Sequence, residues 1–334
     1  MSSMTEARNS DINNQIQNVL DKKAQNRAVL ETVIPFVGLV FIFAFFAVIT
    51  GGKFLNPGNL ENLINQSFVL VLVSFGAAFV YAHGGMDFSM GTVSGVAQLC
   101  MGLLLVNLHV PAWVAIIACI MVSVICCGLV GGLSIVFGVP VFVCSLCMRS
   151  ICSGILTTVL SSSEIIISYG QYVSFNSAVV KGIVLVVLFA ISYYLFRYTS
   201  LGKREKAIGG NRLTTKQAGV RVNANIFIAY VILGICVGVA SFFTLFRASV
   251  VSSQSGSGLE FNIMTAIALG GFPFSGGEKA RLQAAVVGAI TVSVLTNGLV
   301  LWGLDPMLVN GIKGLLFLII VGISYDRSSG KLVQ

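Results

Sequence analysis

The chain has 334 residues, of which 56% are hydrophobic and only 10% charged, and its mean hydropathy is +0.93. That balance excludes a water-soluble globular domain, whose surface would need many more polar side chains. The net charge of +8 lies between apolar runs and not on a soluble face, which argues against nucleic-acid binding and for topology signals.

The first 32 residues are polar and carry both signs of charge, with no basic start leading into a short apolar core. They read as a cytoplasmic tail, with an amphipathic helix expected around Ile16–Leu30. Ten apolar segments follow, at Val33–Thr50, Ile64–Tyr81, Gly91–Leu108, Ala112–Phe137, Val141–Leu160, Ala178–Tyr198, Ala224–Phe246, Ile263–Gly271, Gln283–Trp302 and Met307–Tyr325. Several reach the roughly 20 residues that a helix needs to cross a bilayer core. They do not alternate as barrel strands would. The expected fold is an all-α polytopic membrane protein of about ten transmembrane helices. Its membrane domain spans 33–325, with broken or short helices near 83–91 and 263–277 and a short tail at 326–334.

Basic residues orient the bundle. With the N-terminus inside, the cytoplasmic side carries Arg8, Lys22, Lys23, Arg27, Arg197, Lys203, Arg204, Lys206, Arg212, Lys216, Arg221, Lys279, Arg281, Arg327 and Lys331. The outside carries Lys53, Lys181 and Arg247, while Arg149 and Lys313 fall inside spans. This asymmetry predicts that both termini are cytoplasmic.

Four stretches interrupt the apolar pattern. His83–Gly91 holds glycines, Asp87 and Ser89. A charge within the membrane costs at least ~2.5 kcal/mol, so it is seldom kept without a use. Two readings fit: a broken-helix turn beside a translocation path, with Asp87 accepting freed backbone N–H groups, or a capped turn with Asp87 and Ser89 at the start of the next helix. The Gly202–Asn211 stretch, with Arg204, Gly209 and Gly210, reads as a solvated basic loop closed by a turn. Glu260 and Asn262 open a short apolar segment, where Glu260 suits a helix N-terminus or a cavity wall. That segment runs into Gly270, Gly271, Pro273, Gly276 and Gly277, followed by Glu278 and Lys279. Two glycine pairs around a proline exceed what a simple reversal needs. Arg149 requires an acidic or carbonyl partner, and Asn297-Gly298 interrupts the ninth span.

Nothing suggests chemistry on this chain. Cys144 and Cys147 read as small apolar helix residues, and no His or Cys cluster suggests a metal. No P-loop pattern is present.

These stretches, taken in order, resemble the permease subunits of bacterial ABC importers for monosaccharides, of the ribose, galactose and xylose type. His83–Gly91 is similar to that family's Thr-Gly-Gly-Ile-Asp-Leu-Ser-Val-Gly, with His83 in place of Thr. Pro140–Gly154 is similar to its Pro-Phe-Ile-x-Thr-Leu-Gly-Thr segment, and Gly202–Asn211 with Gly219-Val220 to its Gly-Arg-x-x-x-Ala-Ile-Gly-Gly-Asn loop. Glu260–Gly277 is similar to its Glu-Leu-Asp…Gly-Gly-x-x-x-x-Gly-Gly run, with Asn262 in place of an acid and Lys279 where a further glycine is usual. Asn297-Gly298-Leu299 matches near the end, so the likeness covers roughly Asn56 to Tyr325.

The resemblance implies a two-copy permease in a bacterial inner membrane. It implies a cytoplasmic ATP-binding subunit, which holds ATP and Mg²⁺, and an extracytoplasmic solute-binding protein. It makes Gly270, Gly271, Pro273, Gly276, Gly277, Glu278 and Lys279 the coupling loop. Gly202, Arg204, Gly209, Gly210 and Asn211 form a second cytoplasmic element. Asp87, Ser89, Glu260, Asn262 and Asn297 are the candidates for the translocation path. Permeases for nucleosides, a sugar-like signal or branched-chain amino acids are the neighbouring alternatives. A self-contained ion-coupled transporter would need paired intramembrane acids, which the spans hardly offer. A membrane enzyme would need a constellation that His83 and His109 do not supply.

Overall fold

The computed structural model describes residues 33–161, 163–167 and 173–324. The helix expected around Ile16–Leu30 and both tails lie outside the described residues. Each of the ten expected segments corresponds to a helix. They are α1 (Val33–Ile49), α2 (Pro57–Ala82), α3 (Met90–Val106), α4 (Ala112–Phe137), α5 (Val141–Val159) and α6 (Ala178–Arg197). After the short helices α7 (Ser200–Gly210) and α8 (Arg212–Gln217) come α9 (Val222–Ala248), α10 (Leu259–Leu269), α11 (Leu282–Leu301) and α12 (Pro306–Ser324). Six of them, α2, α4, α5, α6, α9 and α11, are long and apolar enough to cross a membrane, and α1, α3, α10 and α12 are further apolar helices.

Local chemistry sets the ends that hydropathy does not. Asn56 accepts the Gly58 N–H at 3.1 Å through its side chain, and Pro57 fills the first helical position, where no donor is needed. Hence α2 begins well before Ile64. Similarly, Gly258 stands at φ 82° before α10, which starts at Leu259 and not at Ile263.

The Gly202–Asn211 stretch departs from expectation. It is helical, because Leu201, Lys203, Arg204, Glu205, Lys206 and Ala207 are good helix formers. Asn211 is the N-cap of α8, accepting from the N–H groups of Leu213 and Thr214, each at 3.1 Å.

α2 and α9 form the centre of the bundle. In each, 72% of the most apolar window is buried, against 22% for α5 and 11% for α6, which therefore lie outside. α9 packs along α4 and α2, α3 along α4 and α5, and α10 between α11 and α12. Phe75, Phe79, Tyr81, Tyr230 and Phe243 fill the core, with Phe68 and Phe243 edge-on at 4.8 Å. Where α9 crosses α4, a Cβ on Gly234 or Gly238 would lie 2.6 Å from the Cα of Val124 or Ile120, so small residues set that approach. At the end of the bundle away from α7 and α8, a two-residue antiparallel pair joins β1 (Ile165–Ile166) to β2 (Val250–Val251), with Ile165 opposite Val251.

Candidate functional site

Three segments meet at the end of the bundle that carries α7 and α8. The first is the end of α2 and the turn after it. The second is α7, and the third is the loop from Gly270 to Arg281. Gly270 and Gly271 close α10, with N–H groups donating to Ala266 at 2.9 Å and Ala268 at 3.0 Å. Pro273 then starts a tight turn whose carbonyl accepts from the Gly276 N–H at 3.0 Å. Gly276 and Gly277 sit at φ 70° and 99°, in the left-handed region where a side chain would be strained. The N–H of Gly277 donates to the Ala82 carbonyl at 3.0 Å, joining this loop to α2. Gly209 packs on the same spot, and a Cβ there would run into the Ala82 carbonyl. The contact is thus made by main-chain atoms of all three segments.

Side chains surround this contact. His83 Nδ1 and Glu205 Oε2 lie 2.8 Å apart, with both side chains buried. Lys206 lies over the ring of Phe196 at 4.6 Å. Burial first, and then Arg281 and Arg197, push its ammonium below the ordinary lysine value, while Glu278 opposes them. Arg281 and Glu278 of the loop are thereby within electrostatic reach of α7. Lys203, Arg204, Gly210, Asn211, Glu278 and Lys279 are exposed and form the outer surface of this end.

Deeper in the bundle, the turn before α3 holds Asp87 and Ser89, both fully buried. Asp87 Oδ1 accepts from the Ser89 N–H at 2.6 Å and from its hydroxyl at 2.7 Å. Ser89 occupies the N-cap position of α3, but its hydroxyl does not cap the helix, because it donates to Asp87 instead. The N–H of Phe88 donates to Ser145 Oγ on α5 at 3.1 Å.

The other polar candidates each find a separate partner. Arg149 on α5 pairs with the fully buried Glu260 at 3.1 Å, and its guanidinium lies 5.5 Å from the Phe261 ring. Glu260 presses on the start of α3 at Gly91, where no side chain would fit. Asn262 accepts from Lys313 Nζ on α12 at 2.6 Å. Asn297 exchanges two amide hydrogen bonds with Asn59, each 2.9 Å, which ties α11 to the start of α2. Asp87, Ser89 and Glu260 therefore gather around the start of α3, whereas Asn262 and Asn297 lie in other pairings.

Two polar features escape sequence reading. Ser94 accepts from Gln98 at 3.1 Å and from Ser241 at 2.8 Å, forming a buried chain between α3 and α9. Such lone residues in apolar helices carry no periodic signal. The second is the outer face of α5, where Cys147, Ser150, Ser153 and Thr157 are all exposed. Ser150 and Thr157 satisfy their hydroxyls on the carbonyls of Leu146 and Ser153. Their spacing follows the helix repeat, so the signal is present, though the apolar residues among them mask it. Cys144 and Cys147 are free thiols, and among the described residues no cluster of His, Cys, Asp and Glu is able to hold a metal ion.

A family model described as the permease component of the branched-chain amino acid transport system matches residues 59–321. The chain belongs to this permease family. It is a multi-pass membrane protein. It is 28% identical over 317 residues to the ribose import permease protein of Bacillus subtilis (strain 168), covering 92% of this chain and 97% of that one. It is 27% identical over 299 residues to the D-allose transport system permease protein of Escherichia coli (strain K12), covering 88% and 90%. The fructose import permease protein of Rhizobium meliloti is 26% identical over 303 residues, covering 87% and 84%. No solved structure matches the chain significantly.

Proposed function

We propose that this chain is the membrane-spanning permease of an ABC importer for a monosaccharide. The observation that carries the reading is its near end-to-end similarity to permeases named for ribose, allose and fructose import. ATP and Mg²⁺ are bound by a separate cytoplasmic subunit, and solute is delivered by an extracytoplasmic binding protein. The end with α7 and α8 is cytoplasmic, which its exposed Lys203, Arg204, Arg212 and Lys216 support. Both termini share that side.

The ATP-binding subunit seats on α7, α8 and the loop from Gly270 to Lys279. The exposed charges of that end support this, as does the buried contact behind them. The solute passes between two copies of the chain along the open face of α5. Hydroxyls and a thiol on a membrane helix suit a watery path better than lipid. Arg149 and Phe261 stand beside that path, where an aromatic face and a guanidinium suit a sugar ring and its hydroxyls. Alternation follows from the nucleotide state of the partner, which biases one of two packings of the bundle.

The test is uptake by vesicles holding the permease, its ATP-binding subunit and its binding protein. ATP-dependent uptake of labelled D-ribose, D-allose or D-fructose is expected, without uptake of leucine. A second reading, import of branched-chain amino acids, is favoured by the description of the matching family. ATP-dependent leucine uptake with none of the sugars would establish it in place of the first.

A further inference from the structure

We propose that His83 and Glu205 are a positioning pair that ties α7 to the turn before α3, so that movement of α7 moves the buried Asp87 cluster. The inference rests on the reading that α7 lies where the ATP-binding subunit acts. It also gives that reading a route into the membrane.

His83 stands where the resembling permeases have Thr, and Glu205 occupies an unspecified position of their cytoplasmic motif. The fold brings these two positions together across the contact of the three segments. Nδ1 and Oε2 are 2.8 Å apart, and the side chains are 3% and 0% exposed. Neither His83 Nε2 nor Glu205 Oε1 has a hydrogen-bond partner. Among the described residues, the bond between them is thus the hydrogen bond that ties each side chain to the rest of the fold. In a dry site such a bond is strong, and breaking it leaves buried groups unsatisfied. A displacement of α7 is resisted at this point unless His83 moves with it.

Between His83 and α3 the chain is short and constrained. The N–H groups of Gly84 and Gly85 donate back to Tyr81 at 3.1 Å and Val80 at 3.0 Å. Four residues beyond His83, Asp87 is bound to Ser89 at the head of α3, and Phe88 is held by Ser145 of α5. Tension at His83 thus reaches the start of α3 and the buried side of the first turn of α5 within a few residues of chain. One residue before His83, the Ala82 carbonyl holds the N–H of Gly277. The pair and this bond clamp the same point from α7 and from the glycine loop. The backbone bond fixes the glycine loop against the end of α2, and the side-chain pair carries the turn along when α7 shifts.

The test uses the full permease in complex with its ATP-binding subunit, in detergent, followed by hydrogen exchange with and without ATP and vanadate. H83N keeps a donor near the position of Nδ1. H83L/E205L removes the bond without orphaning either partner, and H83T removes it by shortening the side chain out of reach, which leaves Glu205 without its partner. In the native complex and in H83N, nucleotide trapping is expected to change exchange both in α7 and in the segment 83–91. In H83L/E205L and H83T, the change in α7 is expected to persist while that at 83–91 is lost. A purely stabilising pair would alter exchange at 83–91 equally in both nucleotide states. Retention of the native nucleotide response at 83–91 in both variants would overturn the proposal alone. Absence of any response in α7 of the native complex would overturn the reading beneath it, and the proposal with it.

Discussion

Arg149 in the middle of α5 reaches the carboxylate of Glu260 at the head of α10, 3.1 Å away, and so joins an outer helix to a buried half-length one. Glu260 is wholly enclosed, whereas a third of the Arg149 side chain is open. The enclosed member depends on its partner far more than the reverse, since a buried charge without a counter-charge is the costly case.

That asymmetry gives the first prediction. R149Q leaves the Glu260 carboxylate unpaired and destabilises the protein by on the order of 3 kcal/mol. R149Q/E260Q recovers most of this loss, because neither position is then charged. Thermal unfolding in detergent reads the difference, and equal losses in the two variants would count against the pairing.

The Asn59–Asn297 amide pair makes a similar case without charge. N297A removes both bonds between the amides and leaves Asn59 only its donation to the Phe54 carbonyl, at a cost of about 1–3 kcal/mol. N59L/N297L removes both amides together with the Asn59 donation to the Phe54 carbonyl, and is expected to lose less stability than N297A. The same unfolding measurement decides, and a double variant worse than the single one would be the contrary result.

Gly209 and Gly210 are neighbours with opposite surroundings. A Cβ on Gly209 would collide with the Ala82 carbonyl, while one on Gly210 would meet nothing within 4 Å. G209A is expected to open the contact between α7 and the glycine loop and to reduce ATP-dependent uptake at least tenfold, about 1.4 kcal/mol in coupling. G210A is expected to transport normally, helped slightly by the better helix propensity of alanine. Equal transport by the two variants would mean that the contact is not needed.

Glu278 is exposed on the loop proposed to meet the ATP-binding subunit. E278R is expected to change stability by less than about 0.5 kcal/mol and to reduce co-purification of that subunit, more so at low salt. Undiminished co-purification at every salt concentration would remove Glu278 from the contact.

Sidedness is testable at the same end. A cysteine introduced as G210C is expected to resist an impermeant maleimide in intact cells and to react once the membrane is opened. Ready labelling from outside would invert the proposed orientation.

The parts of this fold that depend on composition are legible in the chain. A charge-free run has one stable state in lipid, so hydropathy finds all ten apolar helices. It fails at the head of α2, where Asn56 and Pro57 act through capping and not through apolarity. The α7 stretch reads as a loop because Lys and Arg dominate it, although the same residues favour a helix once Asn211 supplies a cap to the next. The partners of Asn262 and Asn297 are not legible, since they lie 51 and 238 residues away and no local pattern points to them. Arg149 announces its need for an acidic or carbonyl partner from sequence alone, and only packing selects Glu260. His83 is visible as a departure from a motif, but its meaning waits on Glu205.

The end of α2, α7 and the glycine loop touch through peptide atoms, with the His83–Glu205 pair beside them. Their spacing is therefore set by main-chain contact, provided that Gly209, Gly276 and Gly277 stay bare. The outward residues of α7 are released from any part in that spacing. On the proposed docking, Lys203 and Arg204 are free to be retuned to a different ATP-binding surface while the depth of the joint beneath them is preserved. In that docking, the surface that would meet the motor is separate from the part that sets its distance from the membrane helices.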